Sequence, residues 1–267
     1  MGELSGKSIL LTGASQGIGR AMALELAGRG ARLALVARDQ TRLEEVAAEC
    51  RARGAQALVI PGDVSQQAEC QRIVEQAGQL LAGLDVLINN AGIGMLARLD
   101  ELRDLAIYER LMRVNYLGCV WLTHAALPAL KRSRGRIVVV ASLAGLTGVP
   151  TRTGYAASKH AVMGFFDSLR IELLNSGVTV TIACPDFVAS EIHRRSIGPD
   201  GQPLGVSPMQ ESRIMSAEEC AARIVRATEQ RKRLLVMSLR GRLGRFVRLL
   251  FPGLIDRIAM RAVAQGK

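Results

Sequence analysis

The sequence predicts an α/β protein: a doubly wound parallel sheet of about seven strands, built as one domain over residues 1–238 and extended by a basic amphipathic helical tail at 239–267. Three observations carry that prediction. Short aliphatic runs alternate with longer stretches of helical periodicity, the mark of successive βαβ units. The runs are continuous and do not alternate with polar residues, so the strands they form are covered on both faces. The net charge of +11 is concentrated at one end: residues 231–267 hold ten basic residues and one acid, which is +9, and the preceding chain is close to neutral.

Taken in order, the strand candidates are SILLT at 8–12, RLALVA at 32–37, ALVIPG at 57–62 and LDVLINN at 84–90, followed by RIVVVAS at 136–142, VTVTIAC at 178–184 and RLLVM at 233–237. Helical periodicity fills the intervals at about 17–29, 41–53, 66–81, 101–131 and 155–175. Thr41 and Glu44 are spaced as a capping box, and so are Ser216 and Glu219 ahead of a helix that precedes the last strand. Residues 186–215 break the pattern with three prolines, Pro199, Pro203 and Pro208, and three glycines. A loop of that length in a compact domain is usually functional, and it is read as a substrate loop.

The first strand runs into Thr12-Gly13-Ala14-Ser15-Gln16-Gly17-Ile18-Gly19, where a helix begins. Glycines there let backbone N–H groups and a helix N-terminus approach a pyrophosphate, or they serve a tight turn alone. The second strand ends Ala37-Arg38-Asp39, about 20 residues on, where such folds meet the adenosine ribose. Ala37 cannot bond a ribose hydroxyl as an acid would, and Arg38 offers a planar fork suited to phosphate. NADP(H) is favoured over NAD(H), with Asp39 speaking for the latter.

Tyr155 and Lys159 open a helical pattern four residues apart, which places phenol and ammonium on one helical face. A neighbouring cation stabilises a phenolate and makes a tyrosine usable for proton transfer. Ser142 ends the fifth strand at the edge where ligands of open parallel sheets gather, and Asn115 is a polar residue inside an apolar helical pattern, which by itself suits a satisfied core amide.

Thr12-Gly13, Gly17, Gly19, Asn89-Asn90-Ala91-Gly92, Asn115, Ser142, Tyr155 and Lys159 resemble, in order and spacing, the motifs of the short-chain dehydrogenase/reductase family, over roughly residues 5–237. The resemblance implies a Rossmann-type fold and transfer of hydride between a nicotinamide and a carbonyl or alcohol. It implies Tyr155 as acid/base, Ser142 orienting the carbonyl, Lys159 on the nicotinamide ribose, and Asn115 holding a water in the proton relay. The cofactor would meet Gly13, Ser15, Gln16, Gly17, Ile18 and Gly19, with Asp63 and Val64 at adenine, Asn90, Ala91 and Gly92 along the cleft, and Pro185, Val188 and Ser190 at the carboxamide. A homodimer or homotetramer through the helices at 101–131 and 155–175 follows by resemblance as well. Where the family commonly has Pro-Gly, this chain has Pro185-Asp186, so Asp186 puts a carboxylate near the cleft mouth.

The segments expected around the nicotinamide are apolar: Met95, Leu96, Leu143, Leu146, Val149, Phe187 and Met209. A greasy substrate such as a steroid, retinoid or long-chain keto compound suits them. In the tail, Leu243, Phe246, Val247 and Leu250 form a stripe flanked by Arg242, Arg245 and Arg248, and Pro252-Gly253 precedes a second helix with Ile255, Ile258 and Ala262. That make-up suits an anionic membrane interface, with packing on the core as the competitor. Nucleic acid is disfavoured as a partner, since only Phe246 and Phe251 interleave the basic residues.

The five cysteines make neither a disulfide framework nor a metal set, so no metal is expected. No signal peptide or spanning run is read, and the expected location is cytoplasmic, with the tail peripheral at the inner membrane surface. A non-catalytic dinucleotide sensor on the same fold is the rival reading. It is disfavoured because Asn115, Ser142, Tyr155 and Lys159 are all present.

Overall fold

The computed structural model describes residues 2–206 and 214–264, the last three by backbone only. Pro208 and Met209 of the expected loop therefore lie outside the described residues. Seven strands form one parallel sheet: β1 (Ser8–Thr12), β2 (Arg32–Ala37), β3 (Ala57–Pro61), β4 (Val86–Asn89), β5 (Arg136–Val140), β6 (Thr179–Cys184) and β7 (Leu234–Val236). Their order across the sheet is β3-β2-β1-β4-β5-β6-β7. The chain winds outward to β3, returns past β1 and winds the other way, so the order reverses between β1 and β4. A cleft opens at such a reversal, beyond the carboxyl ends of the strands.

The continuous apolar runs behave as a two-sided sheet requires. Ile9 and Leu11 of β1, Leu33 and Leu35 of β2 and Val138 of β5 face α1 (Gly17–Ala27), α2 (Gln40–Ala52) and α7 (Ala217–Glu229). Their neighbours Leu10, Ala34, Ile137 and Val139 face the other way, onto α3 (Gln67–Leu80), α5 (Gly118–Ser133) and α6 (Thr153–Glu172). Each fully buried side chain of this size contributes roughly 1.5–3 kcal/mol. That is why neither face tolerates the polar alternation of a half-exposed strand.

Three local expectations need correction. The helix expected over 101–131 is interrupted: a 3-10 turn at Leu99–Glu101 and α4 (Ala106–Met112) come first, and a π-helical turn at Arg113–Leu117 joins α4 to α5. Apolar periodicity does not register a single wide turn. The cap of α2 is Asp39, whose carboxylate accepts from the Arg42 N–H at 3.1 Å, and the helix starts before Thr41. An ionised acceptor at an N-cap outcompetes a threonine hydroxyl inside the first turn. At α7 the cap is Ser216 as expected, but Glu219 bonds Arg223 one turn on and does not close a box.

The tail is part of the same body. Ser238 caps α8 (Leu239–Leu250), which turns at Phe251 into α9 (Pro252–Ala264). Gly241 lies against Leu143, Arg242 donates to the Val236 carbonyl at 2.9 Å, and Arg248 donates to the Leu146 carbonyl at 2.7 Å. The opposite surface exposes Leu243, Phe246, Leu249, Leu250, Phe251 and Leu254. Among the described residues no helix is long and apolar enough to cross a membrane.

Candidate active site

A cavity of about 830 Å³ runs from the glycine turn after β1, past the ends of β4 and β5, to the inner face of the tail. At its first end Gly13 and Gly17 have positive φ, +64° and +52°, which non-glycine residues adopt only with strain. A Cβ on Gly13 would come within 2.8 Å of the Ala91 backbone, and one on Gly19 within 2.0 Å of the Gly13 carbonyl. The turn is held from beneath. Thr12 Oγ1 accepts from the N–H groups of Asn90 and Ala91, and Asn90 Nδ2 donates to the carbonyls of Thr12 and Gly13. This bare, rigid cradle at the start of α1 fits the pyrophosphate of a dinucleotide, which a side chain at any of these glycines would displace.

Farther along the wall, Asp63 turns its carboxylate to the Ser65 N–H at 2.9 Å and lines the cavity beside Val64. Arg38 lines the same end, with no hydrogen bond or ion pair among the described residues. Asp39 is occupied by the α2 cap and by Arg42, whose guanidinium also reaches Gln16.

The middle of the cavity holds the expected reactive groups. Ser142 follows β5, caps a 3-10 turn at Leu143–Gly145 and accepts from the Ala144 N–H at 3.1 Å. Gly145 lets that turn touch α6, since a Cβ there would meet the Lys159 carbonyl at 2.8 Å. Tyr155 and Lys159 project from α6 into the cavity, with Lys159 Nζ 5.7 Å from the Tyr155 ring centroid. Lys159 is buried and donates to the Val140 carbonyl at 2.8 Å. No carboxylate among the described residues pairs with it, so its charge is available to an anion.

Asn115, in the π-helical turn, is fully buried. Its Oδ1 accepts from the Ile93 N–H at 2.8 Å, and its Nδ2 donates to the Ile93 carbonyl and to Ser158 Oγ, both at 3.0 Å. Ser158 donates in turn to the Tyr155 carbonyl. The amide thus ties the loop after β4 to the helix that carries the tyrosine. Nearby, burial pushes the Cys119 thiol up to about 11 and the Cys184 thiol up to about 12, so neither is a nucleophile at neutral pH.

At the far end, two expected substrate contacts are misplaced. Met95 is fully buried in a small core with Leu111 and Ile197 and packs on Gly154, and the half-buried Leu96 is not among the lining residues. The chain bridges Met95 to Ile197 there, which buries Met95 and leaves Ile93 and Gly94 at the wall. Phe187, Leu143, Leu146 and Val149 do line it, as do Val188 and Ser190 after Pro185. His193 is buried, bonded to the Val188 carbonyl and also part of the wall, while His160 is exposed and bonded to its own helix at Ala156.

Sequence reasoning missed several lining residues. Arg240 of α8 reaches Asp186 with both contacts under 3 Å, at 2.8 and 2.9 Å, which accounts for the acid that replaces the family's glycine. Gly244, Arg245, Ile255 and Ile258 of the tail close the cavity over Phe187, and Arg152 stands beside Tyr155. Thr151, just before Arg152, has φ +64°, a rare conformation for a β-branched residue, while its carbonyl accepts from the Ala97 N–H. No sequence signal announces the tail contacts, because each depends on where the tail folds back.

Comparison with known proteins agrees with this architecture. Residues 7–198 match the family model for short chain dehydrogenase. A Dictyostelium discoideum protein, dehydrogenase/reductase SDR family protein 7-like, is 37% identical over 94% of this chain and 79% of its own length. An Arabidopsis thaliana protein named 11-beta-hydroxysteroid dehydrogenase-like 4A is 40% identical over 84% of this chain and 73% of its own. Among solved structures, a Burkholderia phymatum short chain dehydrogenase/reductase in complex with NAD superposes with a TM-score of 0.83 at 27% identity, covering 95% of this chain and 96% of that one. A Burkholderia cenocepacia short chain dehydrogenase in complex with NADP gives 0.76 at 30% identity, covering 87% and 96%. The chain belongs to the short-chain dehydrogenase/reductase family of oxidoreductases.

Proposed function

We propose that the protein is an NADP(H)-dependent oxidoreductase that interconverts a carbonyl and an alcohol on a lipophilic substrate, with Tyr155 moving the proton. The observation that carries this is the pairing of Tyr155 with the buried Lys159, inside the cavity that begins at the glycine cradle. Bound nicotinamide supplies or accepts the hydride. Tyr155 gives its phenolic proton to the substrate oxygen in reduction and takes it back in oxidation. Ser142 donates a hydrogen bond to that oxygen and holds it in line. Lys159 stabilises the phenolate with its charge and reaches toward the cofactor ribose. Asn115 keeps the tyrosine's helix in register with the loop after β4 and thereby holds the proton path in place.

NADP(H) is favoured because Arg38 is unpaired at the ribose end, whereas Asp39 is committed to the α2 cap. A lipophilic substrate is supported by Phe187, Leu146, Ile255 and Ile258 on the wall and by the steroid dehydrogenase names of the relatives. The exposed apolar face of α8 and α9, set among arginines, supports docking on an anionic membrane surface. Five free cysteines suit the reducing, cytoplasmic side. Assembly as a homodimer or homotetramer through α5 and α6 completes the reading.

The test is NADPH and NADH consumption with a panel of lipophilic ketones. Tyr155→Phe should lose a factor of about 10²–10⁴ in turnover while binding NADPH as before, and Arg38→Ala should erase the preference for NADPH. Small polar carbonyls alone being reduced would refute the lipophilic substrate. Flotation with anionic vesicles should fail for Leu249→Glu combined with Leu250→Glu, and equal partitioning with the wild type would end the membrane reading.

A further inference from the structure

Along the first turns of α6, three polar side chains follow one another into the cavity: Arg152, Tyr155 and Lys159. Lys159 marks the cofactor side. A Cβ on Gly92 would lie 3.8 Å from its Nζ, and it bonds the end of β5. Arg152 lies on the other side of the tyrosine, with its guanidinium carbon 5.4 Å from the Phe187 ring centroid. A molecule whose oxygen meets Tyr155 and whose reacting carbon faces the cofactor therefore extends toward Arg152.

The charge there is unbalanced. The two carboxylates on this part of the wall are already matched: Asp186 by Arg240, and Glu191 by Arg194 at 3.5 Å. Arg152 makes no side-chain hydrogen bond or ion pair among the described residues, and it stands near enough to Tyr155 for the two groups to interact electrostatically. Arg195 and half-buried Arg245 add further guanidinium groups to the same wall, Arg245 stacked on Phe246 at 4.6 Å. Arg152 is half-buried, its guanidinium lies over the Phe187 ring with no anion beside it, and it remains charged at every accessible pH. Its planar fork matches one group above others, a carboxylate, which it can hold by two parallel hydrogen bonds.

We propose that Arg152 anchors a carboxylate on an otherwise lipophilic substrate, so that the preferred substrate is an oxo or hydroxy acid and not a neutral ketone or alcohol. This rests on the oxidoreductase reading above and narrows it. The apolar wall takes the body of the molecule, Tyr155 and Ser142 take the oxygen to be reduced or oxidised, and Arg152 fixes how far that oxygen lies from the acid end.

Two matched pairs test it: a keto fatty acid with its methyl ester, and a keto bile acid with its methyl ester. The wild type should favour the acid in kcat/KM by about tenfold or more, chiefly through KM, since a charge-assisted hydrogen bond contributes that much. In Arg152→Gln the acid-to-ester ratio should fall to about one, with Arg152→Lys between. Calorimetry of laurate, which cannot react, on the NADP⁺-saturated protein should show affinity about tenfold weaker in Arg152→Gln. A wild-type ratio near one, a preference that survives Arg152→Gln, or laurate binding equal in both proteins overturns the inference. The two readings fail separately. Absence of Tyr155-dependent turnover on any of the four compounds would sink the oxidoreductase reading, whereas laurate binding judges Arg152 by itself.

Discussion

The two ends of the cavity are built by different means. Around the glycine cradle and the tyrosine, position is fixed by hydrogen bonds among buried and partly buried groups: Thr12 to Asn90 and Ala91, Asn115 to Ile93 and Ser158, Lys159 to Val140. Over the opposite end, α8 and α9 are held by arginines that remain in contact with water, Arg240 on Asp186 and Arg248 on the Leu146 carbonyl. Buried bonds are strong because breaking one strands its partner, and exposed pairs are weak because water replaces either partner at little cost. By that argument the tyrosine end should resist deformation more than the tail end does.

That contrast can be broken from its strong side first. Asn115→Leu removes the side chain that satisfies both the N–H and the carbonyl of Ile93, which should cost about 2–6 kcal/mol of stability by thermal or urea unfolding. A loss under about 1 kcal/mol would mean that the loop after β4 finds other partners. Gly13→Ala places a Cβ against Ala91 at φ +64°. The left-handed conformation alone costs about 1–2 kcal/mol, so NADPH titrated by fluorescence should bind at least about tenfold more weakly. Smallest is Arg240→Gln, in which the exposed partner of Asp186 loses its charge. Stability should change by less than about 1 kcal/mol, while KM for the substrate should rise and no longer respond to added salt. An unfolding penalty as large as that of Asn115→Leu would erase the distinction between the two ends.

The same contrast explains what could be read in the sequence. Strand runs such as Ile9-Leu10-Leu11 and Ile137-Val138-Val139 must be apolar on both faces, and that demand is visible residue by residue. Tyr155, Lys159, Ser142 and the glycines were legible because their chemistry is tied to fixed spacings along one strand end or one helix. Asp39 was read as an acid near the ribose; it does line that end of the cavity, and it also caps α2, a role that local hydrogen bonding decided. Met95 and Leu96 were assigned to the substrate by address alone, yet a bridge to Ile197 placed Met95 in a small core, and Leu96 beside it does not line the cavity. Asp186 and Arg240 stand 54 positions apart, and no local rule pairs them. Arg152 carries no motif, and its meaning depends on which acids nearby are already taken.

Thr151 shows what such stiffness requires. Held at φ +64° just ahead of α6, it keeps a conformation that glycine would adopt without strain, with its carbonyl bonded to Ala97. The bond to Ala97 ties the chain just ahead of Arg152 and Tyr155 to the loop after β4. The strained joint works as a locked wrist: the protein forgoes roughly 1–2 kcal/mol of backbone ease, and the hand beyond it keeps a constant aim.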